Sequence, residues 1–109
     1  MCNCISKFVR KALKYDRSSE GSDYHLITCF ALTVSIKAEK ILELGVRGGN
    51  TTLAFVSAAK QAGGNVESVD INSTNFRCPR ELESKWKCSQ SDSIKCLGNI
   101  FQGDVYDMV

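Results

Sequence analysis

Hydrophobic and polar positions change period several times along this chain. Between residues 4 and 15, Ile5, Phe8, Val9, Ala12 and Leu13 fall at i, i+3, i+4, i+7 and i+8, with Lys7, Arg10, Lys11 and Lys14 around the remainder. That spacing predicts an amphipathic helix. Residues 16–22 are a polar connector rich in turn formers. A second helical stripe, Ile27, Phe30, Ala31 and Val34, follows, with Ser22 or Asp23 placed to cap it. Residues 40–44 then carry Ile41, Leu42 and Leu44 as a near-continuous apolar run, the pattern of a strand covered on both faces. Asn50 or Thr51 opens a helix through about Ala62, and Gly63-Gly64 closes it. A second strand covers 66–71 and a loop 72–76. Pro79 suits the first turn of a short helix through Lys85. A third strand spans 86–90, a helix runs from Ser93 to about Leu97, and Gly98 to Gly103 turns into a fourth strand. Strand and helix alternate, which predicts an α/β layer with right-handed crossovers. The domain reading is residues 1–22 as a basic helix and connector, and 23–109 as the α/β unit.

The chemistry concentrates at two strand ends. In Ile41-Leu42-Glu43-Leu44-Gly45-Val46-Arg47-Gly48-Gly49-Asn50-Thr51-Thr52 an apolar strand breaks into a glycine turn and passes directly into a helix. Such a junction presents bare backbone N–H groups to a ligand. One helix later, Val66-Glu67-Ser68-Val69-Asp70-Ile71 ends near an acid that can accept hydrogen bonds from the vicinal hydroxyls of a ribose. Together these features point to a nucleoside-containing cofactor on a Rossmann-like sheet.

The order of motifs resembles the class I S-adenosylmethionine-dependent methyltransferases, in the flavour of small-molecule O-methyltransferases and cephalosporin-hydroxylase-like proteins. Residues 43–51 look like the family's first motif, and Val69-Asp70-Ile71-Asn72 looks like the second. Ser91-Asp92-Ser93 stands where an adenine-contacting acid follows the third strand, and Tyr106-Asp107-Met108-Val109 looks like the opening of the fourth. The resemblance covers roughly residues 24–109. It implies a Rossmann-like parallel sheet with flanking helices, truncated at the start of strand four, and S-adenosylmethionine as cofactor. Gly45 and Gly49 would shape the methionine loop, with Glu43 and Thr51 beside the amino-acid end of the ligand. Asp70 would hold the ribose, Ile71 would pack on adenine, and Asp92 would take the adenine amino group with Ser91 and Ser93 near. Arg47, where the family has a middle glycine, and Ser91, where it has a glycine before the acid, depart from the pattern. The implied activity is methyl transfer to a small-molecule, hydroxyl-bearing acceptor. The family's catalytic groups lie from strand four onward, so the expectation is a chain inactive alone, weakly stable, and able to self-associate through an exposed sheet edge.

The loop also bears on cofactor choice. A dinucleotide site uses G-x-G-x-x-G, its second glycine admitting the pyrophosphate. Here Arg47 holds that position and Gly48-Gly49 come one residue late. Glu43 suits a ligand carrying an ammonium and a sulfonium better than a pyrophosphate. Arg47 beside a helix N-terminus could attract an anion, so a nicotinamide-dependent oxidoreductase stays open as an alternative. A non-catalytic nucleoside-binding fragment or pseudoenzyme is the other.

Composition narrows the rest. A net charge of +2 gives no argument for nucleic acid. There is neither an apolar run of the roughly 20 residues a membrane span needs nor a signal-peptide pattern, so a cytoplasmic protein is expected. The basic stripe over 4–15, beside Cys2 and Cys4, could touch an anionic membrane; its one-sided apolar face favours packing on the domain. The 6 cysteines form no Cys-x-x-Cys pair, and His25 adjoins none of them, so no metal site is expected. His25 reads as a surface or capping residue and Trp86 as core or sheet-edge packing.

Overall fold

The structure, a computed structural model, describes residues 25–100 and 105–109. In chain order the elements are α1 (Leu26–Ser35), β1 (Lys40–Leu44), α2 (Asn50–Ala62), β2 (Asn65–Asp70), a 3-10 helix (Arg80–Lys85), β3 (Trp86–Gln90) and α3 (Ser93–Ile100). The strands form one parallel sheet in the order β1-β2-β3. Ile41 aligns with Val66 and Val66 with Trp86; Glu43 aligns with Ser68 and Ser68 with Cys88. The helix proposed over residues 4–15, the connector 16–22 and the caps Ser22 and Asp23 lie outside the described residues.

A small-residue surface on α2 brings the layers together. Ala54, Ala58 and Ala59 of α2 are fully buried, so the helix backbone lies close to its neighbours. Ile41 and Val66 of the sheet pack with Leu26, Ala38, Leu53, Val56 and Leu82 in one core. Burial of this kind supplies the main favourable term in folding, about 1.5–3 kcal/mol for each large aliphatic side chain. Gly63, with φ 82°, ends α2 in the left-handed conformation that glycine adopts without strain.

Several elements differ in detail from the sequence expectation. In α1 the buried positions are Leu26 and Thr33, with Cys29 and Phe30 against the core, while Ile27 and Ala31 are exposed. The helix is apolar on most sides, so periodicity gives its pitch without its rotation. Thr33 is tolerated inside because its hydroxyl donates to the Cys29 carbonyl at 2.8 Å. Gly49, and neither Asn50 nor Thr51, is the N-cap of α2. β2 runs one residue earlier than expected, leaving Ile71 beyond its end and 64% exposed. The segment after Pro79 is 3-10 rather than α, and α3 continues through Gly98 to Ile100.

On the β1 edge away from β2, residues 107–108 begin a further parallel pairing. Met108 bridges Ile41, the Leu42 N–H donates to the Met108 carbonyl at 2.9 Å, and the Asp107 N–H donates to Lys40. The Asp107 carboxylate also accepts from the Glu39 and Lys40 amides, which hold its pKa below the ordinary value. Residues 107–108 belong to Tyr106-Asp107-Met108-Val109, the segment expected to open the fourth strand.

Candidate functional site

The glycine turn is held by contacts from β2 and from the loop that follows it. After Leu44, the Gly45 N–H donates to the Val69 carbonyl of β2 at 2.8 Å. Val46 is buried and anchors the turn to the protein. Arg47 adopts φ 48°, an unusual left-handed conformation for a residue with a side chain. Such strain, of order 1–3 kcal/mol, persists only where the surroundings enforce it. They do: Asp70 Oδ2 accepts from the Val46 N–H at 2.7 Å and the Arg47 N–H at 3.2 Å, and the Thr74 hydroxyl donates to the Arg47 carbonyl at 2.9 Å. Oδ1 of Asp70 accepts from the Asn72 N–H. Amide donors from Asn72, Val46 and Arg47 hold the Asp70 carboxyl below its usual range.

At Gly49, φ 82°, the backbone passes directly under the Phe76 ring, where a Cβ would overlap that ring. Phe76 in turn meets Trp86 edge-on, with centroids 5.2 Å apart. The segment 70–76 therefore acts as a strap that clamps the turn against the C-terminal end of the sheet. Two open cavities adjoin it. One, about 370 Å³, runs along the turn from Leu44 to Thr51. The other, about 430 Å³, is bounded by Glu43, Gly45, Thr51, Phe55 and Val109. A third, about 260 Å³, lies at the opposite strand ends by Lys40, Trp86 and Tyr106. It meets neither the turn nor the start of α2, and ligands of parallel α/β sheets bind at the carboxyl ends of strands.

Beneath the turn, Glu43 is 5% exposed. Its Oε2 accepts from the Thr52 hydroxyl and the Ser68 hydroxyl, each at 2.7 Å. The Trp86 indole N–H donates to the Ser68 oxygen at 2.8 Å, so a polar chain crosses the sheet inside an otherwise apolar layer. Oε1 of Glu43 is buried with no partner among the described residues. Burial pushes the Glu43 carboxyl up, the Ser68 and Thr52 hydroxyls pull it down, and the Asp70 charge adds to the rise.

The structure thus collects Glu43, Gly45, Arg47, Gly49, Thr51 and Asp70 around one turn. Ile71 is an exposed apolar side chain just past Asp70. Ser91 is tied to the same edge, its N–H donating to the Asp70 carbonyl at 2.9 Å. Asp92 accepts from the Ile94 N–H at 2.8 Å, which makes it the cap of α3, with Ser93 the first residue of that helix. Sequence reasoning missed the strap residues Thr74 and Phe76 and the network residues Thr52, Ser68 and Trp86. Ser68 had a readable signal, since it is a polar residue in an apolar strand at the register of Glu43. The strap had none, being loop in sequence. Among the described residues no group of His, Cys, Asp and Glu could hold a metal ion, Cys29, Cys78, Cys88 and Cys96 are free thiols, and no helix is long and apolar enough to cross a membrane.

No family model matches the chain, and no curated protein matches it. Among solved structures, it is similar to an O-methyltransferase from Bacillus cereus whose crystal structure is in complex with S-adenosylhomocysteine (SAH). The TM-score is 0.61 at 14% sequence identity, over 99% of this chain and 53% of that one. The chain therefore spans about half the length of this structural relative, and over that length it has the same Rossmann-like α/β fold.

Proposed function

We propose that this chain is the S-adenosylmethionine-binding portion of a methyltransferase acting on a small-molecule, hydroxyl-bearing acceptor. The observation that carries the reading is the strapped glycine turn at the carboxyl end of β1, with the Asp70 carboxylate brought against its amides, in a fold shared with an O-methyltransferase that binds SAH.

The residues suit such a ligand. Gly45 and Gly48 have open space where a side chain would stand, so backbone can approach a ligand closely. Glu43, with its orphaned Oε1, forms part of a cavity wall and offers a carboxylate to the ammonium of an amino-acid moiety. Oδ1 of Asp70, which takes the Asn72 N–H, has a second lone pair to offer a ribose hydroxyl. Ile71 provides apolar surface for a base, with Ser91, Asp92 and Ser93 alongside. S-adenosylmethionine supplies an intrinsically activated methyl group. The work of this chain is to bind and orient the donor, which is where positioning contributes to rate.

Isothermal titration of the 109-residue chain with SAH and with NAD tests this. Binding of SAH, with NAD binding more weakly or absent, is expected. NAD binding alone would replace the reading with a nicotinamide one. Heat from neither ligand would refute a nucleoside site.

A further inference from the structure

The polar chain under the turn does something packing alone does not require. Ser68 is fully buried, and its oxygen takes the Trp86 indole N–H at 2.8 Å. With that lone pair filled from one side, the Ser68 proton is directed at Glu43 Oε2. The Thr52 hydroxyl is directed at the same atom. Two donors thus converge on Oε2 while Oε1, also buried, receives none among the described residues. A proton on Glu43 placed at Oε2 would require the Ser68 and Thr52 hydroxyls to turn their hydrogens away; at Oε1 it displaces neither bond. Ionisation instead puts a charge on a carboxylate with one buried oxygen unpartnered, a heavier desolvation cost than that of an unpaired neutral O–H.

We propose that Ser68 and Trp86 are positioning residues that keep the Glu43 proton on Oε1, and that a cationic ligand group at this wall binds by releasing that proton to solvent. The second half rests on the reading of the turn as a cofactor site, with the ligand ammonium as the cation. The first half is a property of the ligand-free protein.

The groups facing Glu43 are consistent with one proton held there. From α1 comes Cys29, whose thiol is pushed up by burial and by the Glu43 charge; from α2 comes Thr52; from β2 come Ser68 and Asp70; from β3 comes Cys88, pushed up by burial and by Asp70 and Glu43. Among the described residues, the influences on the Glu43 carboxyl are burial, the Ser68 and Thr52 hydroxyls and the Asp70 charge, with no cation among them. A ligand ammonium would bring a counter-charge to this carboxyl.

The test has two arms. With the chain labelled at glutamate Cδ, the Glu43 resonance is identified by its loss in Glu43→Gln and followed against pH. It is expected to titrate above the exposed glutamates, and Trp86→Phe should move its midpoint further up, because an unpinned Ser68 hydroxyl stabilises the carboxylate less. A Glu43 midpoint among the exposed glutamates, or one unmoved by Trp86→Phe, overturns the positioning role. In the second arm, SAH is titrated below that midpoint in buffers of different ionisation heat. About one proton released per ligand is expected, with Kd improving about tenfold per pH unit up to the midpoint, and a flat profile in Glu43→Gln. Binding without proton release overturns the coupling and leaves the proposed function standing. No SAH binding at all, with the expected Glu43 titration, overturns the proposed function and the coupling and leaves the positioning role standing.

Discussion

Replacing Gly49 by alanine separates two contributions to the turn. Gly49 has φ 82°, and a Cβ there would overlap the Phe76 ring. Gly63 has the same φ of 82° but open space, and Gly48 has open space with no left-handed φ. The three positions form an internal ladder. Gly48→Ala should lie within about 0.5 kcal/mol of the parent. Gly63→Ala carries only backbone strain, roughly 1–2 kcal/mol, partly offset by the lower entropy of the unfolded chain, so a loss of about 1 kcal/mol is expected. Gly49→Ala adds displacement of Phe76, with overpacking of about 1–3 kcal/mol and erosion of an edge-on aromatic pair worth about 0.5–1.5 kcal/mol. Its total loss should be about 2–4 kcal/mol. Urea unfolding followed by Trp86 fluorescence measures all three. In a Phe76→Ala background, Gly49→Ala should fall to the Gly63→Ala value. Equal losses for Gly49→Ala in both backgrounds, or equal losses for Gly48→Ala and Gly49→Ala, would refute the strap.

Three further outcomes follow from the same contacts. Ile41→Ala, at a fully buried site pairing with β2 and Met108, should lose about 2–5 kcal/mol in urea unfolding; a loss below 1 kcal/mol would contradict its place at the core centre. Asp70 sits below its ordinary pKa, so its stabilisation is present above the unfolded-state value and disappears as pH falls through the folded value; urea midpoints of Asp70→Asn should lack that component of the acid limb. Glu43 sits above its ordinary value, so the parent should lose stability as pH rises from the unfolded-state value through the folded one, and Glu43→Gln should remove that decline; an unchanged slope would show that Glu43 is not the buried acid described.

What was legible in the sequence follows from how local the causes are. β1 and β3 were placed to the residue because each is a short run bounded by strong punctuation, the turn at Gly45 and the segment after Pro79. The end of α2 was legible because Gly63 is a local requirement. The rotation of α1 was not, since Ile27, Ala31 and Leu26, Thr33 are alternative stripes that only the position of the sheet distinguishes. Glu43 and Asp70 were found as strand-end acids, but their partners come from elements far apart in sequence. Thr74 holds a carbonyl 27 residues away and Trp86 a hydroxyl 18 away. Such pairings exist only once β2 and β3 are in register.

We propose that the turn after β1 is where an S-adenosyl ligand binds. Amide chemical-shift mapping of the labelled chain with SAH tests it most directly. Saturable shifts at Val46, Arg47, Gly48 and Gly49, together with Asn72 and Ser91 at the neighbouring strand ends, are the predicted result. Shifts confined to Lys40, Trp86 and Tyr106 at the opposite end of the sheet, or no saturable shifts at all, would contradict it.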